Sequence, residues 1–201
     1  MINSKKELKF FLMADRMMNT GSFKPSIKRR IYEMLGGGSI IRYLIHLRKS
    51  EYYEGRNKLL YFYHLCRYRS LGRNLGFSIG LNTLGYGVII PHYGTIVVGE
   101  PSKLGNYCVL HTSTCITGND KKIGDALYLS TGAKITRPVV LGNNISVGAN
   151  SLVNKDFPGE MMIGGMPAHY IKDAQPWYIR DGEYYKDLHD KCEELKRKVL
   201  D

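Results

Sequence analysis

The feature that most constrains this chain is a six-residue repeat of small and aliphatic residues in its second half. The repeat runs in steps of six from Leu84 to Thr114, shifts by three residues, and continues from Ile123 to Val153. An α-helix does not produce this period, and the 22 glycines and many β-branched residues also disfavour helix. A hairpin sheet would alternate with period two. One inward residue on each flat side of a triangular coil does give a period of six, so the sequence predicts a parallel β-helix.

In such a coil, three hexapeptides close one turn, and successive turns pair as parallel strands about 4.8 Å apart. About four turns of roughly 18 residues fit between residues 84 and 155. The repeat is interrupted at "TGNDKK", residues 117–122, where the composition changes to glycine, amides and charged residues. This segment is predicted to form a short loop that projects from a corner of the coil.

Helices are expected on both sides of the coil. Residues 4–18 predict a helix, because Ser4 and Glu7 have the spacing of a capping box ahead of an apolar side. Further helices are predicted at 26–34, within 39–71 after the break "GGG", and at 181–200. The segment "IGGMPAHYI" after the coil is predicted to be irregular. The tail helix has an apolar side that suits packing on its own coil or on a neighbouring subunit, formed by Tyr184, Leu188, Cys192, Leu195 and Val199.

The chain is therefore divided into three parts, and its positive charge is confined to the first. These parts are a basic α-helical N-terminal segment (1–75), a β-helix domain (76–173) and a C-terminal helical tail (174–201). The first contains 16 of the 29 Lys and Arg but only 5 of the 18 Asp and Glu, which accounts for the whole net charge of +11. It can attract an anionic partner, such as a membrane surface or an acidic, lipid-linked saccharide. A solvated helical face is the plainer interpretation.

Several classes of protein are disfavoured by the composition. No apolar run reaches the length of a membrane span, and the N-terminus "MINSKKELKFF" lacks the pattern of a signal peptide. The four cysteines have neither CxxC spacing nor the density of a disulfide scaffold, so a reduced, cytoplasmic protein is expected. Tyrosines and arginines are interleaved in 39–71, but this mixture is more typical of a helix–helix interface, so we expect no nucleic-acid binding.

The region 76–173 also contains motifs that are narrower than the repeat. These are "PHYGTIVVGE", "VGANSLVNKD" and "GGMPA". Together with the hexads, they resemble the left-handed β-helix acyltransferases of the hexapeptide-repeat type. The likeness is greatest to the serine-acetyltransferase-like branch, which includes the O-acetyltransferases of capsular polysaccharide clusters. The resemblance implies a homotrimer, with acetyl-CoA as co-substrate in the groove between two coils and with neither metal nor covalent intermediate.

The resemblance places the catalytic histidine of the family at His92. Transfer of an acetyl group to a hydroxyl needs a base, and an imidazole titrates close to working pH. His111 is the second candidate, because polysaccharide-type relatives have a histidine there in segments like "RHGVTIG", where this chain has "LHTSTCI". It lies 19 residues after His92, which places the two on neighbouring turns and on similar sides of the coil. His111 is expected to bind the acceptor hydroxyl or to complete the oxyanion site; a surface histidine without a role is the alternative.

Contacts with CoA are also implied by position. Small residues of the family that meet the pantetheine arm match Thr131 in "LSTGA" and Ala149 in "VGANS". The pair beside the nucleotide matches Asn154 and Lys155, and Lys172 lies where a basic residue meets the 3′-phosphate. The two lysines also make chemical sense, because CoA carries several phosphate charges.

The sequence departs from serine acetyltransferases at two positions. In that branch an aspartate fifteen residues before the histidine orients it, and the aspartate directly before the histidine helps to hold the amino group of serine. Phe77 and Pro91 occupy these positions here. A site for zwitterionic serine should not leave the ammonium unpaired, so the sequence favours a hydroxyl of a sugar or of a cell-surface glycan precursor as acceptor. With no carboxylate at position 77, we expect a backbone carbonyl to hold Nδ1 of His92.

Three other functions remain open from the sequence. One is serine O-acetyltransferase itself, for which L-serine would be the acceptor. The second is a hydratase resembling the γ-type carbonic anhydrases, but these need metal-binding histidines with H-x4-H spacing, which the chain lacks. The third is a non-catalytic β-helix scaffold that binds no CoA.

Overall fold

A computed structural model describes residues 2–35, 37–118 and 120–200 of the chain. In the described residues four helices precede the coil and two follow it; five lie close to predicted positions, and the short helix α5 was not predicted. Ser4 accepts a hydrogen bond from the amide of Glu7 at 3.0 Å, while the Glu7 carboxylate accepts one from the amide of Asn3. The predicted cap is thus present at the start of the first helix. The helices are α1 (Lys5–Thr20), α2 (Ile27–Met34), α3 (Ser39–Tyr53), α4 (Lys58–Leu75), α5 (Trp177–Arg180) and α6 (Glu183–Leu200).

The coil is a parallel β-helix with three sheets, as the six-residue period predicts. Sheet A contains β1 (Phe77–Ile79), β2 (Ile96–Val98), β5 (Thr114–Ile116), β8 (Lys134–Ile135) and β11 (Leu152–Val153). Sheet B contains β3 (Lys103–Leu104), β6 (Lys122–Ile123) and β9 (Val140–Leu141). Sheet C contains β4 (Val109–Leu110), β7 (Tyr128–Leu129), β10 (Ile145–Val147), β12 (Met161–Gly164) and β13 (His169–Asp173).

The predicted inward residues all form the core of the coil. Each of the twelve, from Leu84 to Val153, is buried. The strand register explains the apparent shift of three residues. In sheet A, the inward side chains of successive turns form two stacks. Each turn contributes to both stacks with residues two positions apart, such as Thr114 and Ile116. The first half of the series follows one stack and the second half follows the other. Only one extra residue is inserted, since four residues separate Val98 from Lys103 and five separate their partners Ile116 and Lys122. Residue 119 of this predicted loop, like residue 36 of the "GGG" break, lies outside the described residues.

The first turn of the coil has no preceding turn to pair with, and polar side chains from the helices bond its free backbone edge instead. Arg48 of α3 donates to the carbonyls of Leu84 and Gly85. Asp15 of α1 accepts from the amide of Val88 at 3.2 Å, and Glu51 accepts from the amide of Asn82 at 2.8 Å. An unpaired strand edge is a site of aggregation, so these side chains both satisfy and cover the edge.

The outer surface of sheet C is covered by α1 and the C-terminal tail. Phe10 and Met17 from α1, with Leu188 and Cys192 from α6, form a second apolar cluster with Tyr107 of the coil. The tail helix thus packs on its own coil, which was one of the two arrangements expected. The segment 163–171 at the end of the coil differs from expectation, because β12 and β13 form an antiparallel hairpin there. Glycine and proline lie in the loop 165–168; β12 forms before it because β10 offers a parallel partner, and β13 then pairs with β12. None of the described helices is long and apolar enough to cross a membrane.

Candidate active site

Four of the predicted functional residues lie along one edge of the triangular coil. This edge, called the histidine edge below, joins sheet C to sheet A and consists of residues 90–95, 111–113, 130–132 and 148–150 in successive turns. Backbone hydrogen bonds connect the turns, from Gly132 N to Thr112 O (3.1 Å) and from Asn150 N to Thr131 O (2.9 Å). The edge therefore presents His92, His111, Thr131 and Ala149 one turn after another.

His92 lies on a loop that projects from this edge. Ile89 pairs with Val109 and Ile96 pairs with Thr114, so six residues lie between the paired positions in the first turn and only four lie between them in the next. The two extra residues push the loop outward. Its central residues are exposed, and Tyr93, directly after His92, is 75% exposed. An acceptor molecule can therefore reach the imidazole from solvent.

The base of this loop is held from both ends. Asn19 of α1 donates to the carbonyl of Val88 at 2.7 Å and accepts from the amide of Ile90 at 3.2 Å. On the other side, Gly94 N donates to Leu75 O at 2.9 Å. Gly76 has a φ of 79°, and a Cβ there would lie 3.0 Å from the Gly94 backbone, so glycine is favoured at position 76. The helices fix where the loop leaves the coil.

His111 is half-buried and has a defined partner. Its Nε2 lies 2.9 Å from the hydroxyl of Tyr128 on the next turn. Burial lowers the pKa of His111 below its usual value, and the positive charge of His92 lowers it further, against an opposing effect of Asp181. His92 and His111 are thus close enough to interact. A neutral His111 near pH 7 can either accept or donate a proton in a hydrogen bond.

Tyr128 and Arg180 join this site, and neither was found from the sequence. The Arg180 guanidinium lies 4.5 Å from the centroid of the Tyr128 ring, donates to Ser146 Oγ at 2.9 Å, and pairs with Asp181 at 2.6 Å. Burial raises the pKa of Tyr128, so its hydroxyl stays protonated. Counting by turns places Tyr128 beside Val109, its partner in register, and does not indicate its contact with His111. No signal in the sequence indicates Arg180, which reaches the coil from α5.

Within residues 2–35, 37–118 and 120–200, no side chain orients His92 by a hydrogen bond. Phe77 is 7% exposed, pairs with Ile96 and contacts Tyr43 edge-on, so the position that holds an aspartate in serine acetyltransferases belongs to the core here. Within the described residues, neither ring nitrogen of His92 has a hydrogen-bond partner. The expectation that a backbone carbonyl holds Nδ1 is therefore wrong for this structure. His92 is exposed on the longer loop.

The residues predicted to contact CoA do not all share the histidine edge. Thr131 and Ala149 are exposed on it. Asn154 and Lys155 directly follow β11, so they lie at the opposite margin of sheet A, where the Lys155 ammonium is 5.5 Å from the centroid of the Phe157 ring. Lys172 lies on β13, opposite Met162. Within one chain, an extended ligand would have to cross sheet A to touch Thr131 and Lys155 together.

Among residues 2–35, 37–118 and 120–200, no group of three or more histidine, cysteine, aspartate or glutamate side chains has a geometry that could hold a metal ion. The four cysteines are free thiols, and Cys108 and Cys192 are buried.

The repeat and the three sheets define a hexapeptide-repeat parallel β-helix. Within that type, the sequence is similar to serine acetyltransferases. The relative from Synechococcus elongatus is 30% identical over 95 residues, which cover 44% of this chain and 39% of the relative. The relative from Mycobacterium tuberculosis is 27% identical over 100 residues, covering 46% and 44%. The chain thus matches less than half the length of these two relatives. No family model matches it.

Solved structures show the same fold. Serine acetyltransferase of Neisseria gonorrhoeae superposes with a TM-score of 0.63 at 23% identity, covering 86% of this chain and 69% of that one. A serine acetyltransferase in complex with CoA gives 0.58 at 22% identity, covering 82% and 67%. The superposed part includes helices as well as the coil, because it is longer than the β-helix domain. The resemblance found in the sequence, and the fold that it implied, are confirmed.

Proposed function

We propose that this protein transfers an acetyl group from acetyl-CoA to a hydroxyl group. The observation that carries the proposal is the placement of His92 and His111 on adjacent turns of one edge, above Thr131 and Ala149. Similarity to serine acetyltransferases, including one solved with CoA, supports the donor. The chemistry requires a base beside an exposed acceptor site, and His92 is exposed on its projecting loop.

In the proposed reaction, His92 accepts the proton of the acceptor hydroxyl as its oxygen attacks the thioester carbonyl. The tetrahedral intermediate collapses with cleavage of the C–S bond. The CoA thiolate leaves and takes the proton from the imidazolium, so the products are the acetyl ester and free CoA. His111, held by Tyr128, is positioned on the same edge to donate a hydrogen bond to the oxyanion or to hold the acceptor. Neither a covalent intermediate nor a metal is needed.

L-Serine is the first acceptor to consider, because the similar proteins are serine acetyltransferases. This favours serine over the glycan that the sequence suggested. A sugar hydroxyl remains the second candidate for one specific reason. Pro91 has no charge, so it does not supply the carboxylate that helps to hold the ammonium of serine in that branch.

The CoA contacts are proposed in two groups. Thr131 and Ala149 on the histidine edge would meet the pantetheine arm, and Asn154, Lys155 and Lys172 would meet the nucleotide end. The second group lies off this edge, which is consistent with a groove between two coils that is completed by a neighbouring subunit. A homotrimer is accordingly part of the proposal, and sedimentation equilibrium tests it. The proposal also includes the division of the chain into three parts, which begin at residues 1, 76 and 174, and a location in the cytoplasm.

The experiment that tests the proposal separates binding from chemistry. Calorimetric titration with acetyl-CoA should give one site per chain. Release of CoA is then followed with L-serine and with a panel of sugars. His92→Gln should lower kcat by about 10² to 10⁴ without changing the affinity for acetyl-CoA. His189→Gln is the matched control, because His189 lies on α6 against Tyr107 and away from the histidine edge.

The outcomes distinguish the candidate functions. Turnover of L-serine alone would establish serine acetyltransferase activity in spite of Phe77 and Pro91. Turnover of a sugar alone would establish the second candidate. Full activity of His92→Gln would overturn the mechanism, and failure to bind acetyl-CoA at millimolar concentration would leave the scaffold as the better interpretation.

A further inference from the structure

A cavity of about 650 Å³ lies between α4 and the first turns of the coil. Its walls come from α4, from β1, and from the corners that contain Asn82 and Glu100. None of the seven residues predicted to act in acetyl transfer lines it. The volume lies in the range of sites for small molecules, about 300 to 1,000 Å³. The cavity is therefore a candidate binding site separate from the histidine edge.

One side of this cavity is cationic. Arg69 and Arg73 are four residues apart on α4, so they project from the same side of the helix, and both line the cavity. Both are exposed, and no carboxylate in the described ranges forms an ion pair with either. Lys103 lines the cavity as well, but its ammonium donates to the carbonyl of Asn82 at 2.7 Å. Two free guanidinium groups side by side favour a ligand with a compact, multiply charged anionic group such as phosphate.

The opposite side of the cavity contains hydrogen-bond acceptors, which would repel an anion that has no hydrogen-bond donor. Glu54 uses one carboxylate oxygen to bind the side-chain amide of Asn82, and Glu100 uses one to bind the amide of Leu81. The second oxygen of each carboxylate can accept from a hydroxyl. The side-chain oxygen of Asn82 is a buried acceptor for which no donor is found among the described residues. These acceptors call for hydroxyl donors, so the ligand should carry hydroxyls as well as an anionic group.

Aromatic and aliphatic side chains complete the walls. Tyr61, Tyr68 and Phe77 line the cavity, together with Leu65 and Leu81. The face of a sugar ring has C–H groups that pack on such surfaces, while its hydroxyls lie in the plane where they reach carboxylates. From this combination we propose that the cavity binds a phosphorylated sugar, with the phosphate on Arg69 and Arg73 and the sugar hydroxyls on Glu54 and Glu100.

The test is a calorimetric titration of the full-length protein with glucose 1-phosphate, and in parallel with glucose and with inorganic phosphate. Glucose 1-phosphate should bind at least about tenfold more tightly than either fragment, because only it engages both sides of the cavity. The double variant Arg69→Gln with Arg73→Gln should weaken its binding by about tenfold or more. Binding of acetyl-CoA to the same variant should be unchanged, which separates this site from the proposed function.

A control with the same loss of charge is available on the same helix. Lys58 and Arg67 are exposed on α4 but do not line the cavity, so the double variant Lys58→Gln with Arg67→Gln should change the Kd less than about twofold. Equal thermal midpoints of the two double variants exclude unfolding as the cause. The proposal is overturned if glucose 1-phosphate does not bind at 10 mM (about the limit of a useful titration), or if both double variants weaken it equally. Inorganic phosphate binding as tightly as glucose 1-phosphate would overturn the assignment of a sugar.

Discussion

Removal of the Arg48 side chain should strongly destabilise the protein, because Arg48 of α3 joins α1 and α3 to the coil. It is 0% exposed, its Nε lies 2.8 Å from Asp15, and its Nη1 lies 3.2 Å from Glu51. It also donates to two backbone carbonyls of the first turn. Arg48→Met keeps much of the volume but leaves two buried carboxylates without a cation. Breaking such a network by removing one partner costs about 3 to 5 kcal/mol, out of a total stability of about 5 to 15 kcal/mol.

The loss should depend on pH in a definite direction. Burial raises the pKa of Glu51 even beside Arg48, and loss of the guanidinium should raise it further in the variant. A carboxyl whose folded pKa lies above its unfolded value adds stability that is complete below the unfolded pKa and is lost as the pH rises through the folded pKa. The free energy of unfolding of Arg48→Met should therefore fall further below that of the parent at pH 8 than at pH 5.

Urea unfolding followed by circular dichroism and by fluorescence of Trp177, the single tryptophan, measures both quantities. Arg67→Met is the control, since Arg67 is exposed and its loss should change stability by less than about 0.5 kcal/mol. Adding Asp15→Asn and Glu51→Gln to Arg48→Met should recover part of the loss, because the unpaired charges are removed. A loss below about 1 kcal/mol, or one that is the same at both pH values, would refute this account of the network.

Three further predictions concern single side chains. Tyr128→Phe removes the 2.9 Å hydrogen bond to His111, so the rate of acetyl transfer should fall while acetyl-CoA affinity and urea stability change little; an unchanged rate would exclude His111 as a participant held by Tyr128. Burial, followed by the neighbouring His64, lowers the pKa of His46 to about 4, so stability should be complete above about pH 6.5 and decrease by roughly 1 kcal/mol by pH 5, after allowance for its half exposure. Thermal unfolding of His46→Gln should show a flatter pH profile than the parent, and an equal slope would contradict that assignment. Lys172→Gln should weaken binding of CoA several-fold but leave dephospho-CoA unaffected in calorimetry, whereas equal effects on both would remove Lys172 from the 3′-phosphate.

The sequence by itself determined the coil and the start of the first helix. Each inward position from Leu84 to Val153 must hold a residue that fits inside one turn of the coil. The residue types along the chain therefore predict the fold, and contacts between distant segments need not be known. The same regularity placed His92 and His111 on neighbouring turns, because counting residues along a periodic coil is equivalent to measuring position. Ser4 and Glu7 marked the helix start for a similar reason, since a cap is formed within one helical turn.

Only the tertiary structure decided what surrounds those positions. The contacts of Tyr128 and Arg180 beside His111, the hairpin of β12 and β13, and the buried Arg48 join segments whose separation in sequence follows no period. From the sequence alone, Arg48 would be predicted to be a solvated charge on α3. It is buried because the first turn of the coil leaves backbone carbonyls that need a hydrogen-bond donor. A repeat specifies its own interior through local geometry, whereas the partners at its ends and edges are selected by which unpaired groups the packed chain brings together.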